Sequence, residues 1–528
     1  MNFQQSIRRL AGGAARRGVR QVRAAQRSLR RLAQPRSGRV LSPPARALAW
    51  LRANELPTGG IRVHPDHASA YPEVTGYIVP TLLDYGSRDL AARLVQWLVR
   101  VQQEDGAFTD PDWGKPYLFD TGQALRGLLA GMTLVPEART AARKAADYLC
   151  DRTVEEGRSG FRLGYADGVA GDISESIHLY VLPALAQAAE LLEAPRYREC
   201  AERCLAFYRD AGNTLRPGDL THFLAYQLEA LIDLGAADAA RPILDGLREQ
   251  QAPDGSVRAA AGAHWVCTPG LAQLAICWYK IGQWEPADKA LAWLEARQEP
   301  SGGFLGSYGP GAAYFPEAEL SWAAKFYLDA HLLRVRAFFE RSAPLFPDTV
   351  SLEDGRVQAL LAALPPEAQV PVARVLEVGC GKGRFLRAIR TACPDCECAG
   401  VDISPAMLAA LPPPIIGIVG SSEALPWPAE SFDLVFSVEA IEHSANPEAA
   451  VAEMIRVARP GGCILIVDKP QGQWGRLECP PWERWPDRRG LSRLLEQGCD
   501  RVVSELVGYD GNPKSDGLMV AWRGWKRA

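Results

Sequence analysis

The sequence predicts two domains of different class. An all-α (α/α)6 toroid comes first, and an α/β domain with a seven-stranded, mostly parallel sheet follows. Three observations point there. Residues 41–335 read as almost entirely helical, with glycine-containing turns about fifty residues apart. The helical pattern breaks at Ala343-Pro-Leu-Phe-Pro347. Beyond that break, Val375-Leu-Glu-Val-Gly-Cys-Gly-Lys-Gly383 starts as the apolar run of a buried parallel strand, turns through three glycines, and resumes at helical spacing through Phe385, Leu386 and Ile389.

Whole-chain properties narrow the function classes. With 528 residues the chain has room for two or three domains. Its net charge of −3 gives no global field that would select nucleic acid. No run of about 18 apolar residues occurs, so no membrane-spanning helix is expected. The 12 cysteines are scattered over a long chain, unlike a small disulfide scaffold, and read as reduced thiols of a cytoplasmic protein.

Residues 1–40 carry eleven arginines and no acid. Val19, Val22, Leu29 and Leu32 repeat at roughly helical spacing, with arginines between them. This is either a basic amphipathic helix that touches an anionic surface, peripheral to the inner membrane, or a solvated, disordered arm. No apolar stretch follows Ser6-Ile-Arg-Arg9, so an export signal is not expected.

Turns at Gly59-Gly60, Gly106, Gly160, Gly212 to Gly218, Gly255 and Gly302-Gly303 divide residues 41–335 into six helical hairpins. One helix precedes each turn, as in Ala91–Gln103 and Ala287–Gln298. A second begins near Tyr71, Tyr117, Asp172-Ile-Ser-Glu-Ser176, Thr221, Trp265-Val-Cys-Thr268 or Tyr314-Phe-Pro-Glu317. An open array would need polar capping repeats at its ends, and none is visible, so closure into a ring is expected. Gln102-Gln-Glu-Asp-Gly-Ala-Phe108, Gln250-Gln-Ala-Pro-Asp-Gly255 and Gln298-Glu-Pro-Ser-Gly-Gly-Phe304 resemble the repeats of terpene cyclases and protein prenyltransferases. They are also similar to turns of toroidal glycosidases, polysaccharide lyases and glucuronyl epimerases. That resemblance implies an architecture and leaves the chemistry open.

Histidines mark a candidate pocket in this part. His64, His67, His178, His222 and His264 fall at the starts of the second helices or just before them, with Asp120, Glu175 and Glu317 at equivalent places. Aromatic faces, carboxylates and neutral imidazoles together suit a sugar or another polyhydroxylated ligand. Taken singly, each is also a plausible helix-start residue that satisfies backbone donors.

Residues 336–349 form the linker, and 350–528 the second domain. Its first helix is expected over Val350–Leu364. After the glycine turn, a second strand ends at Ala399-Gly-Val-Asp-Ile403. Then come Gly420-Ser-Ser-Glu-Ala-Leu-Pro-Trp427, the strand of Ser431–His443, the turn Pro460-Gly461-Gly462 and the strand Cys463–Asp468. This order of motifs resembles the class I S-adenosylmethionine-dependent methyltransferases, in the subgroup with the ubiquinone and menaquinone enzymes. The resemblance implies a Rossmann-like fold and S-adenosylmethionine as cofactor. It places Glu377, Gly379, Cys380, Gly381 and Gly383 at the methionine portion, Asp402 at the ribose and Ile403 at the adenine face. Ser421, Ser422 and Glu423 fall at the adenine edge, where Ser421 replaces the family's frequent Asp.

Glu439 falls where the loop after strand four faces the transferable methyl. His443 is the candidate base, oriented by Glu442 or Glu439. After strand five, an insertion carries Trp474, Trp482 and Trp485 and is expected to roof the acceptor or to plug against the helical part. No metal is assigned, because Cys393-Pro-Asp-Cys396-Glu-Cys398 lacks a second ligand pair. The overall expectation is O-methylation of a small-molecule or glycan acceptor in polysaccharide or natural-product assembly, with the toroid binding or also modifying it. The alternatives are a toroid that is itself a lyase, epimerase or hydrolase, a non-catalytic toroid scaffold, and an isoprenoid or quinone acceptor.

Overall fold

The computed structural model describes residues 41–112, 114–153, 175–210, 215, 218–366 and 372–528. The arginine-rich arm, the turn at Gly160, the hairpin start at Asp172 and the side chain of Glu175 lie outside the described residues. The chain divides into two compact units. One takes the chain up to Leu82 together with Arg88–Arg334, and the other takes Leu83–Ser87 with Val335–Ala528. No helix among the described residues is long and apolar enough to cross a membrane.

The first unit is helical. Its described helices are α1 (Pro43–Arg52), α2 (Pro72–Asp84), α3 (Arg88–Val101), α4 (Leu118–Gly131), α5 (Ala138–Asp151), α6 (Leu182–Leu191), α7 (Pro195–Asp210), α8 (Thr221–Asp233), α9 (Ala237–Glu249), α10 (Thr268–Lys280), α11 (Trp284–Glu295) and α12 (Ser321–Ser342), of which α2 from Leu83 and α12 from Val335 belong to the second unit. Two kinds alternate. In α3 the buried residues are Leu90, Ala91, Leu94, Val95, Trp97 and Leu98, one apolar stripe with charge on the other side. In α10 every residue from Thr268 to Tyr279 is buried, as expected of a helix surrounded by protein.

The repeated glutamine–glycine turns explain themselves in the structure. Gln102 Nε2 donates to the carbonyl of Gly106 in its own turn (3.1 Å) and to that of Ala141 in α5 (2.9 Å). Gln251 does the same with Gly255 and Pro286, and Gln298 with Gly302 and Pro43. The glycines have φ of +95°, +90° and +102°, and a Cβ on them would lie 2.2, 2.1 and 2.4 Å from the carbonyl oxygens of Lys144, Lys289 and Arg46. Only glycine meets both demands. The third turn thus docks on α1, the first of the described helices. Further contacts join the last segment to the first. Ser321 N–H donates to Val63 O (3.0 Å), Thr81 Oγ1 donates to Asp329 Oδ1 (2.6 Å), and Tyr77 and Phe326 rings lie 6.1 Å apart.

The second unit holds a seven-stranded sheet. Its strands are β1 (Arg374–Val378), β2 (Glu397–Asp402), β3 (Ile416–Val419), β4 (Phe432–Val438), β5 (Ala458–Asp468), β6 (Cys499–Leu506) and β7 (Val520–Lys526). Their spatial order is β6-β7-β5-β4-β1-β2-β3. The pairs among β1 to β5 are parallel, and β7 is antiparallel to both β5 and β6. Successive residues of β1 serve opposite faces. Val375 joins a core with Phe385, Leu386 and Ile389 of α14 (Arg384–Ala392), after the short α13 (Gly355–Leu361). Leu376 and Val378 join a second core with Met454 of α16 (Pro447–Val457) and Leu491 of α17 (Arg488–Glu496); α15 is Pro405–Leu408.

Three boundaries differ from expectation. The helix expected over Val350–Leu364 is only Gly355–Leu361, because the Asp354 side chain caps it by accepting from Arg356 N–H. The helix expected from Tyr314 starts at Ser321, since Leu305 and Glu319 pair as an extended bridge first. Pro460-Gly461-Gly462 lies inside β5 as a bulge, where the register jumps from Phe432↔Ala458 to Leu434↔Cys463. Asp433 stabilises that bulge: Arg459 donates to both its oxygens (2.8 and 2.9 Å) and Arg374 N–H donates to Oδ2 (2.8 Å).

Candidate active site

The glycine turn after β1 is built around Asp402. Gly379, Gly381 and Gly383 all have positive φ, of +75°, +50° and +75°. Gly381 N–H donates to Asp402 Oδ2 (2.8 Å), and Ser404 N–H donates to Oδ1 (2.9 Å). Gly379 and Cys380 N–H both donate to Val401 O. The end of β2 therefore shapes the turn after β1. A Cβ on Gly379 would lie 2.3 Å from that of Ala440, whereas one on Gly381 would meet nothing nearer than Met407 Sδ at 3.9 Å. Gly381 thus leaves an open cradle. Glu377 is 1% exposed, and its Oε2 has no hydrogen-bond partner among the described residues. Burial pushes its carboxyl well above the usual range.

The comparisons with known proteins concern this unit. The methyltransferase-domain family matches residues 376–466. A malonyl-[acyl-carrier protein] O-methyltransferase of Alcanivorax borkumensis is 32% identical over 216 residues, 39% of this chain and 73% of that protein. The chain belongs to the class I S-adenosylmethionine-dependent methyltransferases. The corresponding protein of Enterobacter lignolyticus is 35% identical over 178 residues, covering 33% of this chain and 68% of its own length. A 2-methyl-6-phytyl-1,4-hydroquinone methyltransferase of Synechocystis is 31% identical over 155 residues, 28% of this chain and 47% of that protein. The methyltransferase uses S-adenosylmethionine, and the turn suits that cofactor. The unsatisfied oxygen of Glu377 can accept from an ammonium group, and the cradle at Gly381 lets backbone approach a ligand.

The adenine-edge candidates are drawn together by Glu423. Ser422 Oγ donates to its Oε2 (2.8 Å), Ser444 Oγ to its Oε1 (2.6 Å), and Ser421 Oγ also to Oε2. Ile403 stays half-buried beside Asp402.

At the carboxyl ends of β4 and β5 stands a buried polar group. His443 Nε2 lies 3.6 Å from Glu442 Oε1, and Nδ1 lies 4.0 Å from Glu483 Oε2. Phe339 packs edge-on to the imidazole at 4.9 Å. Burial lowers the His443 pKa to about 4, so the ring is neutral at neutral pH. Lys469 Nζ donates to Glu442 Oε1 (2.6 Å), and Glu442 N–H donates to Asp468 Oδ2 (3.1 Å). Burial, reinforced by Asp468, raises the Glu442 carboxyl well above its usual range.

Glu439 has different partners. It follows the end of β4 at a φ of +54°, and its Oε1 accepts from Arg356 and Arg384. Arg356 is fully buried, binds both oxygens of Asp354 at 2.9 Å and also donates to Asp510. Trp482 and Trp485 are buried at 8% and 4% exposure, while Trp474 is half-exposed and edge-on to Trp485. Sequence reasoning missed Arg356, Lys469 and Glu483. Lys469 and Glu483 carried a signal, because both sit inside the tryptophan insertion after strand five.

In the helical unit, ring contacts bring His64, His67 and His222 into one aromatic series. His67 touches His64 (5.4 Å), His64 touches Phe315 (6.5 Å), and Phe315 touches Tyr314 (5.1 Å). His222 lies 5.9 Å from Tyr314 and 4.4 Å from Tyr226. His67 Nε2 is 3.3 Å from Asp112. Asp120 and His178 are buried at 1% exposure, whereas His264 and Glu317 are exposed.

Proposed function

We propose that the methyltransferase methylates an oxygen of a polyhydroxylated acceptor, glycan or small molecule, and that its helical unit is an (α/α)6 toroid that recognises this acceptor. The observation that carries the reaction is the group of Glu442, His443 and Glu483 at the carboxyl ends of β4 and β5. An oxygen nucleophile must lose a proton as it takes the methyl, and this group offers buried acceptors. Bound S-adenosylmethionine supplies a methyl group on sulfonium. Glu377, Gly379, Cys380, Gly381 and Gly383 would hold its methionine part and Asp402 the ribose. Ile403, Ser421, Ser422 and Glu423 would hold the adenine. Arg356 and Arg384 hold Glu439, the residue expected to face the transferable methyl, and alignment of cofactor and acceptor can supply much of the rate.

The toroid reading is supported by the alternation of amphipathic and wholly buried helices and by the docking of the Gln298 turn on α1. The aromatic series from His67 to Tyr226 supports a sugar, whose apolar faces stack on rings. Similarity to malonyl-carrier O-methyltransferases supports a second reading, a carboxyl acceptor. One experiment separates the two. Full-length protein is incubated with methyl-labelled cofactor, oligosaccharide fractions and malonyl thioesters. Alkali-stable label in saccharide is the expected result, as an ether. Label found only in alkali-labile ester would overturn the polyhydroxylated acceptor in favour of the carboxylate.

A further inference from the structure

We propose that Glu442, His443 and Glu483 form a site for one divalent cation of the Mn2+ or Zn2+ class. Their ligand atoms lie within 4.8 Å of one another. Metal–ligand bonds to imidazole and carboxylate are about 2.0–2.2 Å, so ligand atoms around one ion stand roughly 3–4 Å apart. The spacing of 4.0 Å between His443 Nδ1 and Glu483 Oε2 lies at the wide end of that range.

Glu442 is held by one oxygen and leaves the other without a partner among the described residues, and Glu483 is held through Oε1 with Oε2 toward the imidazole. Lys469 Nζ donates to Glu442 Oε1 (2.6 Å), and Glu442 Oε2 has no hydrogen-bond partner among the described residues. Trp485 Nε1 donates to Glu483 Oε1 (2.6 Å), which leaves Oε2 facing the imidazole. His443 Nδ1 is likewise without a partner among the described residues. Glu442 is 2% exposed and Glu483 5%, so water does not satisfy these atoms cheaply. Outer donors that fix one oxygen and present the other are how ligating carboxylates are oriented. One imidazole with two carboxylates suits a borderline or hard divalent ion and leaves coordination positions open for water or an acceptor oxygen.

The inference concerns the same three side chains as the methylation reading: with a cation bound there, an acceptor oxygen at an open position would lose its proton more readily, and this holds whichever acceptor is used. The test takes the full-length protein, strips it with a chelator and titrates it with MnCl2 under electron paramagnetic resonance. One tightly held Mn2+ per chain is expected, with a nitrogen coupling in the echo-modulated signal. Glu483→Gln, nearly isosteric, should weaken binding at least tenfold. His443→Ala should abolish the nitrogen coupling. Trp485→Phe removes only the donor to Glu483 Oε1 and should weaken binding about tenfold. S-adenosylhomocysteine binding reports the fold of each variant and tests the cofactor half separately. Wild-type protein that holds no Mn2+, or a folded Glu483→Gln that holds it with undiminished affinity, overturns the site.

Discussion

Asp402 has two jobs, and they can be separated by substitution. Its carboxylate accepts from Gly381 and Ser404 N–H at 2.8 and 2.9 Å, and each oxygen keeps a lone pair for a ribose hydroxyl. A hydrogen bond to a charged group contributes roughly 1.5–3 kcal/mol. Asp402→Ala removes both backbone acceptors and the ribose contact. Two lost turn contacts, partly offset because burial already raises the Asp402 pKa, give about 2–4 kcal/mol of lost stability. Loss of the ribose contact weakens cofactor binding about 10- to 100-fold. Asp402→Asn keeps one acceptor oxygen and should lie between wild type and Ala on both scales. The assays are calorimetric titration with S-adenosylhomocysteine and urea unfolding of the same samples. An Ala variant with unchanged affinity would refute the ribose role. Unchanged stability would refute the turn role.

Arg356→Met should lower the stability of the second unit by about 3–5 kcal/mol in urea unfolding, because it strands the buried Asp354 carboxylate and releases Glu439. Gly302→Ala should cost about 2–4 kcal/mol, from a φ of +102° and a Cβ 2.4 Å from Arg46 O, while Gly311→Ala, with open space, should cost about 1 kcal/mol. Equal effects in the same unfolding assay would count against docking of that turn on α1. Burial and then Asp110 push the Glu73 carboxyl up to about 8. A raised carboxyl stabilises the fold below its unfolded value near 4.3, and that contribution disappears as pH rises through about 8. Glu73→Gln should therefore melt higher than wild type at pH 9 and close to it at pH 5, and a constant difference across that range would contradict the assignment.

What the sequence revealed depended on how local each device is. The strand–glycine–helix elbow is fully contained in residues 375–389, and its glycines do take positive φ. The glutamine–glycine turns were visible as repeats because each spans only a few residues. Their second hydrogen bond, to the following helix, was not, because that partner is 39 residues away for Gln102 and 255 for Gln298. Glu442 and His443 are adjacent, so the sequence alone shows them as a pair. Glu483 comes from the loop after β5 and meets them only once the sheet has formed. Arg356 looked like any helix-start arginine, since its meaning lies in Glu439 and Asp510, 83 and 154 residues on. Asp402 was read as a ligand residue alone, because the spacing that places it near a ribose says nothing about backbone donors in its own fold.

The docking of the Gln298 turn on α1 has a consequence for how the chain is made. The bonds that join the two ends of the helical unit span 248 to 259 residues: Thr81 to Asp329, Gln298 to Pro43, Ser321 to Arg62. During synthesis α1 emerges with Trp50 and Leu51 ready for burial, and the Gln298 turn that docks on its first residues is made more than two hundred residues later. At about 5–20 residues per second, the ribosome takes on the order of 12–50 seconds to supply it. Such high contact order slows folding and prolongs exposure of the unfinished helical face. Throughout that interval the apolar side of α1, with Trp50 and Leu51, lacks the turn that later docks on it.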